Sequence, residues 1–482
     1  MSKPKIRFPK SPMSRSQIIS DLQKRQEADI DWRAGRAFCL IYHPGDERAS
    51  IIQDAFNQYF SFNALNPAAT PSLTQLEAEV VSMTADLLHG DDKVRGSITS
   101  GGTESILLAV KSARDWGRAN IEGIGKPKVI LPESAHPAFM KAFHYFDLDY
   151  TLIPCTENER VDVRAMERAI DHNTVMLVGS APSYPYGVID PIEEIGQLAK
   201  QRGILCHVDA CIGGFMLPFL QRLGYPIPKW DFAAEGVTSI SADVHKYGYA
   251  SKGSSVVLYR NAELRKFQFS IYTGWTGGIY GSPTMTGTRP GGTIVGPWAA
   301  MKCIGEEGYL EMARSTMETT ERLRAGIVAV PELHLVAEPE MTLIAFKSDE
   351  IDVYELADEL NNKGWHFERQ QNPPSLHLTV NFIHTAAIAD EFLGDLREAV
   401  AKCKKLSIRK VTNSLQVKAV SKLSELLPDG TIAKLQGGSA KGGLKKGNTA
   451  AMYGMMGALK GTGDLKTIVL EFMDNINSLE KK

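Results

Sequence analysis

Ile204-Leu205-Cys206-His207-Val208-Asp209-Ala210 reads as a strand buried on both faces that ends on a carboxylate. Similar apolar runs recur at 128–131, 174–179, 237–241 and 255–259, and helical patterns at 105–119, 163–170 and 192–202 separate several of them. Strands that are apolar throughout and alternate with helices build a largely parallel α/β sheet covered on both faces. Functional groups in such a sheet gather beyond the carboxyl ends of the strands. Period-two alternation puts His207 and Asp209 on one face. A carboxylate there is costly unless it meets a cation or several donors. Asp209 therefore reads either as a cap or buried salt bridge, or as the partner of a protonated ring nitrogen, with His207 in support and not as a catalyst.

Outward from that strand, the 482-residue chain exceeds what one hydrophobic core usually holds, so two domains are expected. A basic N-terminal arm (Lys3, Lys5, Arg7, Lys10, Arg15) reads as a flexible tail or as a weak attraction to anionic lipid. An amphipathic helix is predicted over 16–32 through Ile18, Ile19, Leu22 and Ile30, and a second over 48–60. The apolar run 36–45 closes on Pro44-Gly45 in a turn. Prolines 67 and 71 keep 63–72 out of a helix, after which Ser72 or Thr74 caps the next one, with Glu77 as a capping-box partner. Residues 273–297 are rich in Gly and Pro and read as a long loop of functional weight. A helix over 298–323 leads to a smaller α/β region, 333–400, with strands at 343–346 and 376–381. Residues 436–448 read as a mobile Gly/Lys-rich stretch and 465–479 as a closing helix. The division expected is 1–60 for the arm and first helices, 61–305 for the large domain and 306–482 for the small one.

Composition removes several functions. A net charge of −2 gives no basic surplus for nucleic acid, and no run of about 18 apolar residues is present to span a membrane. The six cysteines are scattered without metal-like pairing, so no metal is expected, and they read as free thiols in a reducing compartment, the cytoplasm.

Four motifs carry chemistry. Thr99-Ser100-Gly101-Gly102-Thr103-Glu104-Ser105 opens a helix; it is either a capped tight turn or an anion nest in which backbone N–H groups and a hydroxyl of Thr103 or Ser105 face phosphate. His136 follows another strand, as an ordinary loop residue or as an imidazole stacking on a planar ring. In Ser239-Ile240-Ser241-Ala242-Asp243-Val244-His245-Lys246 an amine directly follows a histidine at a strand end. Partial desolvation and a neighbouring cation would lower the pKa of Lys246 and make it a Schiff-base nucleophile. A phosphate nest, a strand-end Asp, a stacking His and such a Lys are together the parts that hold pyridoxal 5′-phosphate.

On these residues the chain resembles the sphingosine-1-phosphate lyases, in the group II decarboxylase-like branch of fold-type I pyridoxal-phosphate enzymes. The resemblance runs from about Tyr42 to the Met455 region, through TSGGTES (99–105), ESAHPAF (133–139), RAMERAI (164–170), GVIDP (187–191), HVDACIGGF (207–215), VTSISADVHKYGYASKGSS (237–255), GGIYGSPT (277–284) and TRPGG (288–292). It implies a large domain with a mostly parallel central sheet and a smaller C-terminal α/β domain. It also implies that Lys246 carries the cofactor as a Schiff base with His245 beside the cofactor phosphate, and that Asp209 pairs with the pyridine nitrogen while His136 stacks on the ring. Gly101, Gly102 and Thr103 would hold that phosphate, Lys252 the phosphate of the substrate, and Tyr42 and Tyr184 would line the pocket. The site would lie at a homodimer interface, with Tyr42 and the 277–289 loop acting across subunits, and the missing membrane anchor matches the soluble bacterial type.

The implied reaction is retro-aldol cleavage of a phosphorylated long-chain base to a fatty aldehyde and phosphoethanolamine, with Lys246, Tyr42 and Tyr184 as candidates for proton transfer. Three departures bear on substrate preference. Asn66 stands where the family carries a His that meets the substrate phosphate, and an amide donates there without charge. Ser251 replaces a Pro, which loosens the turn before Lys252. Tyr186 replaces a His. The alternative is an amino-acid decarboxylase, which needs a cation for the substrate carboxylate; Arg289 is the candidate, or else a structural loop residue.

Overall fold

A computed structural model describes residues 6–405 and 463–476. The Gly/Lys-rich stretch 436–448 lies outside the described residues.

Helices α1 (Arg15–Gln26), α2 (Asp46–Gln58) and α3 (Pro71–Leu87) precede the sheet. Strand β1 (Arg95–Thr99) and helix α4 (Gly102–Asn120) begin it. There follow β2 (Lys128–Pro132), α5 (Ala138–Phe146), β3 (Asp149–Ile153), α6 (Val163–Arg168), β4 (Thr174–Ser180), α7 (Ile192–Arg202), β5 (Leu205–Asp209), α8 (Leu217–Arg222), β6 (Ser239–Ala242) and β7 (Ser255–Tyr259). The seven strands lie in the order β1-β7-β6-β5-β4-β2-β3. The pairings from β6 through to β3 are all parallel, while β7 runs antiparallel to both β6 and β1.

The apolar runs behave as their composition requires. Every residue of β4, β6 and β7 is buried, and β5 is buried from Cys206 to Asp209. The polar edge strand β3, with only Ile153 buried, and the short Arg95–Thr99 have no such signature and escape a search for apolar runs. The topology brings the ends of β1, β2, β4, β5 and β6 to one edge of the sheet, which is where a ligand site is expected.

After β7 and the short helix α9 (Ala262–Arg265), the stretch predicted as a long loop is largely regular. Strands β8 (Ser270–Trp275) and β9 (Gly278–Ser282) form an antiparallel hairpin with Tyr272 opposite Tyr280, and helix α10 (Gly291–Val328) begins within the same stretch. Glycine and proline density hid the alternation of large side chains across a tight turn. Pro297 lies inside α10, and Gly305 (φ 62°) kinks that helix.

The second sheet is antiparallel in the order β10 (His334–Leu335), β11 (Leu343–Lys347), β13 (Pro374–Thr379), β12 (Glu368–Gln371). It packs with α11 (Val353–Asn362) and α12 (Ala386–Lys405). Its core takes in Leu323 and Ile327 from the end of α10 and, from far upstream, Phe38. The Phe38 ring stacks on His384 at 4.3 Å, and its backbone donates to His366 O at 2.8 Å and accepts from Thr379 N at 2.9 Å. A helix at Gly463–Ile476 overlaps the predicted closing helix over 465–479, starting two residues earlier.

Two further expectations are corrected. Helix α3 starts at Pro71 behind Thr70 with no side-chain cap, and Glu77 is used elsewhere. Helix α1 forms but buries none of its residues, so the apolar stripe of Ile18, Ile19 and Leu22 stays exposed.

Candidate active site

The edge of the sheet assembles most of the residues singled out in the sequence. Gly101, with φ of 152°, is the N-cap of α4 and allows the chain to turn from β1 into the helix. A side chain at Gly102 would meet Cys211 Sγ at 2.7 Å and both Asp243 carboxylate oxygens at 2.8 Å, so only glycine fits. The imidazole of His245 lies against the nest, 3.6 Å from where a Cβ on Gly101 would stand. Thr103 is exposed, whereas the Ser105 hydroxyl is spent on Thr99 Oγ1 at 2.7 Å and Ser255 Oγ at 2.8 Å. Of the two hydroxyls read as phosphate donors, Ser105 therefore faces the core.

Lys246 sits in the turn after β6. Its Nζ lies 2.9 Å from Asp243 Oδ2, three residues earlier in the chain. Burial pulls the lysine's pKa down, but the Asp243 carboxylate outweighs it and holds the ammonium above its ordinary value, correcting the expected depression. Asp243 answers in kind: burial raises its pKa, and Lys246 and His245 bring it below the usual carboxylate range. The neighbouring cation read from the sequence is thus outweighed by a neighbouring anion that sequence reasoning passed over. Its signal was an acid at i, i+3 from the lysine, which is meaningful only once the turn is known. Among the described residues, buried Asp243 Oδ1 has no hydrogen-bond partner.

The depressed lysine is the other one. Lys252 is exposed as a residue, yet its Nζ donates to His245 O at 2.8 Å and lies 4.8 Å from the centroid of the Tyr42 ring. Desolvation, followed by repulsion from Lys246, brings it down to about 8. Among the described residues no carboxylate stands within salt-bridge distance of it. Ser254 Oγ donates to Ser251 O at 2.8 Å across the turn that carries Lys252, where serine stands in place of proline.

Tyr42 packs edge-on against Tyr247 at 5.0 Å, and burial raises its phenol well above the ordinary value. Tyr184, beside His377, is raised to about 12, mainly by burial, and feels the charge of Lys246. Asp209 ends β5 with Oδ1 accepting from Cys211 N at 3.1 Å and from Ser241 Oγ at 3.3 Å. His207 is fully buried between Ser239 Oγ at 2.9 Å and Ser241 Oγ at 3.3 Å, and burial lowers it to about 4, so it is neutral and supporting as expected. His136 stands after β2 with Nδ1 accepting from Ala138 N at 3.2 Å.

Three residues stand apart. Asn66 is exposed, its Oδ1 closing a local turn by accepting from Ala68 N at 3.0 Å. Arg289 is buried and pairs with both oxygens of Glu77, one contact measuring 2.9 Å, while Glu77 Oε1 also accepts from Ile98 N at 3.0 Å. An arginine left unpaired there would cost about 3–5 kcal/mol, so it is held as a structural residue and is not available to a substrate carboxylate. Tyr186 reaches across to the small domain, its hydroxyl donating to Asn372 O at 3.0 Å.

The fit to pyridoxal 5′-phosphate rests on these observations: a glycine cradle at a helix N-terminus that a Cβ would fill, an amine beside it, and a carboxylate at the neighbouring strand end.

Comparison with known proteins agrees. Residues 2–349 match the model of the pyridoxal-dependent decarboxylase conserved domain. The chain is 43% identical over 467 residues to the sphingosine-1-phosphate lyase of Oryza sativa subsp. japonica, covering 95% of this chain and 80% of that relative. The solved sphingosine-1-phosphate lyase of Burkholderia pseudomallei K96243 superposes with a TM-score of 0.81 at 40% identity, over 86% of this chain and 96% of that one. A probable L-aspartate decarboxylase of Pyrococcus abyssi is 32% identical over 399 residues, covering 82% of this chain and 99% of that relative.

Proposed function

We propose, from the premise that this chain belongs to the pyridoxal-dependent decarboxylase family and within it to the sphingosine-1-phosphate lyases, that it cleaves sphingosine 1-phosphate or a related phosphorylated long-chain base. The products are a fatty aldehyde and phosphoethanolamine. Pyridoxal 5′-phosphate, when bound, supplies an aldehyde for an amine and a cationic ring that takes up the electron pair of a breaking bond to the α-carbon.

The chain's own residues do the rest. Lys246 is the amine that holds the cofactor aldehyde. Gly101, Gly102, Thr103 and His245 hold its phosphate, His136 covers the ring, and Asp209 keeps a proton on the ring nitrogen, braced by Ser241 and Cys211 N. Lys252 takes the substrate phosphate, without Asn66, which stands apart from it in the chain. Tyr42 and Tyr184, both raised, keep their protons at neutral pH and so donate; the Lys246 nitrogen, once drawn away from Asp243, is the group able to accept the proton of the 3-hydroxyl. As that proton leaves, the Cα–Cβ bond breaks and Cα is reprotonated.

The observation that carries this reading is Lys252, an ammonium in the site with no carboxylate assigned to it, where a decarboxylase would need a cation for a carboxylate and the candidate, Arg289, is committed to Glu77. The purified holoenzyme, given a phosphorylated long-chain base and, separately, simple amino acids, is expected to release aldehyde from the former and no carbon dioxide from the latter. Carbon dioxide without aldehyde would sink the lyase reading.

A homodimer with shared sites is part of the proposal. It is supported by the exposed apolar residues of the hairpin, among them Ile271 (67%), Trp275 (56%) and Ile279 (80%), which solitary surface side chains do not explain. Sedimentation of the holoenzyme is expected at twice the chain mass, and a monomer at micromolar concentration would refute it. The division at 60 and 305 is proposed with its second boundary inside α10, which packs with the large core as far as Met317 and with the small one from Leu323. The six free thiols support a cytoplasmic setting. Among the described residues no helix is long and apolar enough to cross a membrane.

A further inference from the structure

One carboxylate near the site has no part in the chemistry above. Glu104 lies in the first turn of α4, only 6% exposed. Its Oε2 accepts from Ser100 N at 2.6 Å, fixing the peptide that leads into Gly101 and Gly102. Its Oε1 accepts at 2.7 Å from Met285 N, 181 residues away, in the loop that follows the hairpin β8–β9. Both bonds are short and charge-assisted, and the carboxylate that accepts them is buried.

Other ties hold the hairpin's base without touching the nest. Lys111 Nζ donates to Phe267 O at 2.7 Å and Phe269 O at 3.0 Å, and Gln268 Nε2 donates to Ser97 Oγ at 3.0 Å. On the far side Arg289 is held by Glu77. Glu104 alone among these ties bonds the nest and the hairpin loop at once.

We propose that Glu104 is a positioning residue that couples the glycine nest to the β8–β9 hairpin, so that filling the nest orders the hairpin and ordering the hairpin tightens the nest. The proposal rests on the reading of residues 100–102 as the cradle of the cofactor phosphate. An anion in the nest fixes the Ser100 peptide, the peptide fixes the Glu104 carboxylate, and the carboxylate fixes Met285 N. Coupling of this kind is reciprocal, because each ligand or contact changes the affinity for the other by one shared factor.

The test is amide hydrogen exchange on the full chain at one protein concentration, with and without pyridoxal 5′-phosphate, beside a cofactor binding titration. In the unaltered protein the cofactor is expected to slow exchange both in the nest and across 270–290. In Glu104→Gln, where an amide N–H must face one of two N–H donors, the cofactor's dissociation constant is expected to rise about tenfold, within the usual span of coupling between sites. The response across 270–290 should vanish while that of the nest persists. Glu104→Asp keeps the charge but is one methylene too short to span both donors, and is expected to show the same split more weakly; it serves if the glutamine variant does not fold. A hairpin that ignores the cofactor in the unaltered protein, or responds equally in the variants, overturns the coupling. None of these readings uses substrate, so a chain that shows the coupling yet releases no aldehyde would overturn the lyase reading and leave this one standing.

Discussion

Lys246→Ala is expected to lose the visible absorbance of bound cofactor on dialysis and to lower aldehyde release by more than about 10³-fold, the scale on which removal of a covalent catalytic group is felt. The alanine variant also strands Asp243, whose carboxylate is buried and has Lys246 Nζ as its partner at 2.9 Å. Leaving such a charge unpaired costs about 3–5 kcal/mol, so loss of function could follow from a damaged fold. Lys246→Arg separates the two effects. It restores a cation to Asp243 but offers no amine for an aldehyde, so it is expected to match the unaltered protein in thermal unfolding and the alanine variant in spectrum and rate. A Lys246→Arg protein that keeps the absorbance and turns over would remove Lys246 from the cofactor site.

Lys252→Ala is expected to reduce kcat/KM for a phosphorylated base by roughly 30-fold to several thousandfold, the range for removing one member of a desolvated charge pair at 2–5 kcal/mol. An analogue without phosphate should be affected little. The pH dependence follows from the direction of the shift. Lys252 titrates at about 8, below its ordinary value, so the ammonium is present below that pH and lost above it. A phosphate monoester gains its second charge near pH 6. Substrate affinity should therefore be greatest between about 6 and 8 and fall as pH rises through 8, and Lys252→Arg, which stays charged, should abolish the upper limb. An affinity that is flat from pH 7 to 10 in the unaltered protein would separate Lys252 from the phosphate.

Much of this was readable in the chain because each signal was local. The strands β4 to β7 declared themselves by short, mainly apolar runs between helical patterns, and Lys246 by its place at the end of one. The nest glycines stood at a helix start. What escaped depended on partners distant in sequence or on a turn not yet formed. Glu77 had the spacing of a capping residue, but its partner is Arg289, 212 residues on. Asp243 looked like one more polar residue until the turn carried Lys246 back over it. Strand β12, reading Glu-Arg-Gln-Gln, has no apolar pattern and exists because β13 offers it a ladder. The hairpin was masked by glycines that serve its turn.

The lodging of Phe38 in the core of the small domain reaches further than packing. Three residues separate it from Tyr42, and Ile41 O among them accepts from Asn381 Nδ2 at 2.9 Å. The ring that lies beneath Lys252 therefore takes its coordinates from the small domain as well as from Tyr247, in the turn that carries Lys246. The N-terminal segment works as a tie-rod. A substitution at His384 or Phe392, remote from any reacting atom, shifts the rod's anchorage, and its effect should appear first as a change in how Lys252 is screened.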